Sequence, residues 1–163
     1  MFDRTIALIG QDNLDKIESK HILIIGVGGV GGYAIEALIR SGIHNITLVD
    51  YDNIDISNIN RQIIAKESNV GKLKVEAWKE RINEINSSVL VNTLPLKIDE
   101  NNIDILFKSS YDYIIDACDT VIVKKLLIKK CHEKNIKLIT VCGMGKKLNS
   151  NLVKIYDIKD TSY

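Results

Sequence analysis

A chain of 163 residues is long enough for one domain with a substantial core and too short for two ordinary ones. Its 45% hydrophobic and 26% charged residues exclude a disordered tail; no apolar run reaches the roughly 18–20 residues of a membrane span, and Met1-Phe2-Asp3-Arg4 is no signal peptide, so a cytoplasmic protein with no membrane partner is expected. A net charge of +1 excludes a global positive field for nucleic acid, and Cys118, Cys131 and Cys142, with no Cys-x-x-Cys pair, argue against a disulfide framework and a structural zinc.

In chain order, residues 1–20 read as an N-terminal helical segment of two short pieces, Arg4 to Ile9 and Asn13 to Ile17. His21-Ile22-Leu23-Ile24-Ile25-Gly26 is a continuous apolar run closed by glycine, the mark of a parallel strand buried on both faces. Gly28, Gly29 and Gly31 follow, and then Val30, Ala34, Ala37 and Leu38 at helical spacing up to Ser41-Gly42. A second strand spans Ile46 to Val49 and ends at Asp50. An amphipathic helix covers Lys72 to Asn86, with Trp78 on its apolar side as a packing residue.

Ser88 to Leu94 makes a third strand before the single proline, Pro95, and Tyr113 to Asp116 a fourth. A helix from Thr120 to Lys134 and a fifth strand from Lys137 to Cys142 complete the alternation. Leu152-Val153-Lys154-Ile155-Tyr156 is expected to add a sixth strand at an edge. Strands alternating with helices predict a Rossmann-like, doubly wound and mainly parallel α/β sheet with helices on both faces.

Gly26-x-Gly28-Gly29-x-Gly31 lies between a buried strand and a helix, where a nucleotide-binding turn belongs. Glycine is needed there for the tight turn and for close approach of backbone to phosphate, while the helix N-terminus offers free N–H groups and partial positive charge. Asp50, about 20 residues past the last glycine, is placed to accept hydrogen bonds from ribose hydroxyls. These features suit a nicotinamide cofactor and ATP equally.

The segment that follows separates the two. Tyr51-Asp52-Asn53-Ile54-Asp55-Ile56-Ser57-Asn58-Ile59-Asn60-Arg61-Gln62 presents an arginine among amide side chains. Hydride transfer has no need of it, whereas displacement of pyrophosphate from ATP gathers negative charge that a guanidinium fork can neutralise bidentately. Lys74 adds a second cation, and Asp119, just past the fourth strand, is a candidate Mg²⁺ contact, since a carboxylate among phosphates requires a cation between them. The bland alternative for Asp119 is an N-cap on the next helix; Asp116 caps or braces. Lys124, Lys125, Lys129, Lys130, Lys134 and Lys137, with Lys146 and Lys147, are either a tether for nucleic acid or a solvated helix face, the second being preferred.

Gly26-Val27-Gly28-Gly29-Val30-Gly31, Val49-Asp50-Tyr51-Asp52, Ser57 to Gln62, Gly71-Lys72-Leu73-Lys74-Val75-Glu76 and Ile115-Asp116-Ala117-Cys118-Asp119, in this order, resemble the adenylation domain of the ThiF/MoeB/HesA superfamily, which includes the ubiquitin-activating enzymes. The resemblance spans nearly the whole chain and implies one ATP-binding adenylation domain over residues 1–163 from which the family domain's C-terminal part is absent. It implies that Asp50 and Asp52 lie at the nucleotide, that Asn58, Arg61 and Lys74 contact the triphosphate, and that Asp119 lies near Mg²⁺. It also implies a homodimer in which Arg4 reaches the neighbouring subunit's ATP. Asn58 to Ile63, Asn69-Val70-Gly71, Asp119-Thr120-Val121 with Lys124, and Gly143-Met144-Gly145 are most similar to the branch that activates a carboxylate on a modified adenosine of tRNA. Activation of a small sulfur-carrier protein, or a non-catalytic nucleotide-binding or dimerisation module, are the alternatives.

Overall fold

In the computed structural model, which describes residues 1–143 and 148–161, a five-stranded all-parallel sheet is the frame. Met144, Gly145, Lys146 and Lys147 of the sequence motifs lie outside the described residues. Two short helices, α1 (Asp3–Ile9) and α2 (Gln11–Glu18), precede β1 (His21–Ile25), then α3 (Gly29–Arg40), β2 (Asn45–Val49), α4 (Lys74–Ile85) and β3 (Leu90–Leu94). β4 (Tyr113–Asp116), α5 (Val121–Glu133) and β5 (Lys137–Thr140) complete the sheet in the order β3-β2-β1-β4-β5. The order reverses direction at β1, so the crevice between the ends of β1 and β4 is the topological switch point where open α/β sheets bind ligands.

The unbroken apolar character of β1 follows from its central place. Ile22 and Ile24 pack on one face with Ile35 and Ile39 of α3 and Val75, Trp78 and Ile82 of α4. Leu23 and Ile25 pack on the other with Ile103, Leu106, and Val123, Leu127 and Cys131 of α5. Alternate side chains of one strand therefore feed two separate cores, one per sheet face. Trp78 is fully enclosed and its indole N–H donates to the Val27 carbonyl at 3.1 Å, tying α4 to the turn after β1.

Two glycines are fixed by geometry. Gly26 has φ +83°, and a Cβ on it would lie 2.7–2.8 Å from the Ala117 carbonyl and the Cys118 nitrogen. A Cβ on Gly31 would lie 1.8 Å from the Gly26 oxygen, so α3 can begin this close to β1 only without a side chain there.

The expected sixth strand is a misreading. Ser150–Leu152 closes a 3₁₀ turn, Leu152 to Tyr156 pairs with no strand among the described residues, and Ile155 is 98% exposed. The apolar pattern of that run satisfies strand propensity, yet a strand forms only where another strand takes its backbone hydrogen bonds. No helix among the described residues is long and apolar enough to cross a membrane.

Candidate functional site

The loops leaving β1, β2 and β4 meet at one edge of the sheet. At the first, Gly28 caps α3, and the helix begins with no side-chain cap. Its free N–H groups and axial dipole favour an anion. At the second, Asp50 accepts from the Val27 N–H at 2.9 Å through Oδ2 and from the Asp52 N–H at 2.9 Å through Oδ1. The glycine turn and the end of β2 are thereby joined by one carboxylate.

The polar segment after Asp50 folds back over the turn. Asp55 accepts from the Ser57 N–H, and the Asn58 side chain accepts from the Asp55 N–H, a reciprocal cap that starts a 3₁₀ turn at Ile56–Asn58. Buried Asn58 serves this cap with its side-chain oxygen. The chain then places Arg61 and Gln62 against the glycines: a Cβ on Gly29 would meet the Arg61 carbonyl at 3.6 Å, and one on Gly28 would meet the Gln62 amide at 3.4 Å. The Arg61 guanidinium is exposed and held by the Ser57 carbonyl at 2.8 Å and the Asn60 side chain at 2.9 Å.

Gln62 was not among the candidate site residues. It is 7% exposed and its Oε1 has no hydrogen-bond partner among the described residues, a costly arrangement for a buried amide. The sequence signal was present, Gln62 closing the Ser57 to Gln62 motif, but its burial was not legible. Lys74, at the first turn of α4, is 5% exposed, and its ammonium lies 2.7 Å from the Asp52 carboxylate. Asp52 is thus the counter-ion of Lys74, a pairing between positions 22 residues apart in sequence.

Asp119 is exposed on the loop from β4 to α5, where its only hydrogen-bond contact among the described residues is the Thr120 hydroxyl at 3.4 Å. It does not cap α5, whose N-cap is Thr120 without a side-chain bond. Among the described residues no group of three or more His, Cys, Asp or Glu side chains is arranged to hold a metal ion. A cation at Asp119 would therefore take most of its ligands from phosphate oxygens and water, the usual coordination of Mg²⁺ carried by a nucleotide. The uncapped N-terminus of α3 and the exposed Arg61 together supply donors and positive charge that fit a triphosphate, whereas the Gln62 oxygen, an acceptor, would need an N–H or O–H donor.

Arg4 is not part of this edge. It lines a cavity of about 490 Å³ with Phe2, Ile39, Arg40 and Ile85, at the ends of α3 and α4 remote from the glycines. The 12 residues of α3 put it about 18 Å away along the helix axis. Of the four lysines of α5, Lys124 pairs with buried Asp116, Lys130 with Asp104 and Lys129 with Glu133, leaving Lys125 exposed, while Lys134 just past the helix and Lys137 on β5 lie over the Phe107 and Tyr113 rings. This supports a self-paired helix face over a tether.

Cys118 stands beside Asp119, yet burial and the neighbouring Asp116 carboxylate push its thiol up to about 12. Neutral thiol is a poor nucleophile. Iodoacetamide at pH 8 is expected to alkylate exposed Cys142 well before Cys118; peptide mass mapping in which Cys118 reacts first would contradict this environment.

The ThiF family model matches residues 2–162. A tRNA threonylcarbamoyladenosine dehydratase of Haemophilus influenzae is 41% identical over 154 residues, covering 94% of this chain and 59% of its own length. Its Bacillus subtilis namesake is 40% identical over 160 residues, covering 98% and 63%. The crystal structure of the Escherichia coli tRNA N6-threonylcarbamoyladenosine dehydratase in complex with ATP superposes with a TM-score of 0.94 at 38% identity, over 98% of this chain and 66% of that one. The chain spans about three fifths of the length of these curated relatives.

Proposed function

The chain belongs to the ThiF family, and from that premise we propose that it binds ATP with Mg²⁺ at the glycine edge of its sheet and activates a substrate carboxylate in the cytoplasm, the carboxylate being the threonylcarbamoyl group on an adenosine of tRNA. The observation that carries the reading is the packing of Arg61 and Gln62 onto Gly29 and Gly28. It brings the Arg61 backbone and Cγ against the start of α3, leaving an exposed guanidinium on the same turn for the phosphate charge that gathers when pyrophosphate leaves, and a hydride-transfer site has no use for it.

In this reading the triphosphate lies over the Gly26 to Gly31 turn, with Asp50 at the ribose. The substrate carboxylate attacks the α-phosphorus, the bond to the β-phosphate oxygen breaks, and pyrophosphate departs. Arg61 and Lys74 neutralise the charge that moves onto the leaving group, and Asp119 would hold a Mg²⁺ that, when bound, would supply further neutralisation of the phosphates. A heteroatom of the carbamoyl group in the same side chain then attacks the acyl carbon, the bond to the phosphate oxygen breaks, AMP departs and the proton goes to solvent, so that the side chain cyclises and water is lost overall.

Arg4 finds a place in this scheme only through a second copy. At the far edge of the sheet it is out of reach of its own nucleotide, and a symmetric homodimer brings it to the neighbour's. The deciding experiment is ATP–pyrophosphate exchange with threonylcarbamoyl-modified tRNA or, in parallel, a sulfur-carrier protein ending in Gly-Gly. Exchange with the tRNA alone is expected. Exchange only with the carrier would replace the tRNA by a protein substrate, and ATP binding with neither would leave a nucleotide-binding module.

A further inference from the structure

Asp116, the last residue of β4, is an enclosed carboxylate with 0% exposure that the proposed chemistry does not use. It accepts from the Cys118 N–H at 3.2 Å, from the Lys124 ammonium at 3.1 Å on each oxygen, and from the Thr140 hydroxyl on β5. Lys124 also donates to the Val141 carbonyl at 2.8 Å, so one cation joins the end of β4 to the chain leaving β5. The lysine that charge counting assigned to a basic helix face is turned inward.

Burying such a pair is a poor way to gain stability. Removing two charges from water costs several kcal/mol per ion, and apolar side chains of equal volume hold strands together as well or better. What apolar side chains cannot do is accept the Cys118 N–H and so direct the peptide path toward Asp119. Beyond that, the side chains along the path make only long contacts among the described residues, the Cys118 thiol to the Thr120 carbonyl at 3.9 Å and the Thr120 hydroxyl to Asp119 at 3.4 Å, and α5 begins without a side-chain cap. The same stretch, Ala117-Cys118, is the wall against which Gly26 rests. A single buried pair thus sets both the back of the nucleotide turn and the approach of the Asp119 carboxylate.

We propose that Asp116 and Lys124 are positioning residues that hold the Cys118–Thr120 path so that Asp119 meets the metal-bound phosphates. The proposal rests on the ATP·Mg²⁺ reading of the site. Partners that orient a metal-contacting group typically account for about 10- to 100-fold in metal affinity or activity. Lys124→Met should therefore raise the Mg²⁺ concentration that half-saturates ATP binding, measured by calorimetric titration, by about 10-fold or more, with little change in ATP affinity when Mg²⁺ is omitted. Lys124→Arg, which keeps the cation, should recover most of the loss. In the ligand-free protein the Cys118 amide should exchange faster with deuterium in Lys124→Met than in the parent chain.

Should Lys124→Met not fold, Thr140→Val removes one donor from the same carboxylate and is expected to shift the Mg²⁺ requirement in the same direction. Folded Lys124→Met with an unaltered Mg²⁺ requirement overturns the positioning role, as does an equal loss of affinity with and without Mg²⁺, which marks a structural brace alone. A parent chain that binds no ATP at any Mg²⁺ concentration overturns the site reading itself.

Discussion

Replacing Arg61 by alanine is expected to slow substrate-dependent ATP–pyrophosphate exchange by about 100- to 1,000-fold, the usual loss when one preorganised contact to developing charge is removed. The thermal unfolding curve should stay in place. Arg61 is exposed, its guanidinium among the described residues bonds to Ser57 and Asn60 within its own turn, and its closest approach to Gly29 is through its backbone carbonyl. Truncation therefore opens no cavity and leaves the 3₁₀ turn capped by Asp55 and Asn58. Arg61→Lys keeps the charge without the planar fork and should fall between the two. Exchange measured with labelled pyrophosphate beside a calorimetric melt separates activity from folding; an unchanged rate in folded Arg61→Ala would remove the guanidinium from the mechanism.

Trp78→Ala should be the most damaging single truncation of the core, at about 3–5 kcal/mol. Domain stabilities of about 5–15 kcal/mol make that a large share of the whole. For a chain of this size the midpoint should fall by about 6–20 °C. The indole is fully enclosed, a Cβ on Gly32 would lie 2.9 Å from its ring, and its N–H serves the Val27 carbonyl beside the nucleotide turn. Trp78→Phe keeps much of the volume and forfeits that hydrogen bond, so it should lose less stability. Scanning calorimetry of the two variants checks both statements; an alanine variant that melts with the parent would show that the site can collapse around the missing ring.

The strands of this fold were legible because burial on both faces imposes an uninterrupted apolar run, as His21 to Gly26 displays. Leu152 to Tyr156 shows where that signal fails: residue pattern records what a strand prefers, and pairing depends on what lies beside it. At the site, the glycines, Asp50, Asn58, Arg61, Lys74 and Asp119 stood out because their types and order mark nucleotide chemistry. The contacts among them did not. Lys74 to Asp52 and Lys124 to Asp116 are matters of which helix face turns toward the sheet, and a row of lysines reads as a solvated face until each partner is known. The buried, unpartnered Gln62 oxygen was hidden for the same reason, since polarity in a sequence carries no record of enclosure.

Asp50 has a consequence in time as well as in space. With Val27 and Asp52 both donating to it, its carboxylate is locked before a ligand arrives, and the lone pairs left over point in set directions. A nucleoside that docks there asks no rotamer search of the protein and forfeits mainly its own torsional freedom. Capture at this corner is then paced by diffusion and by the ligand's shape, and differences among nucleotides should surface as residence times, in how quickly each departs.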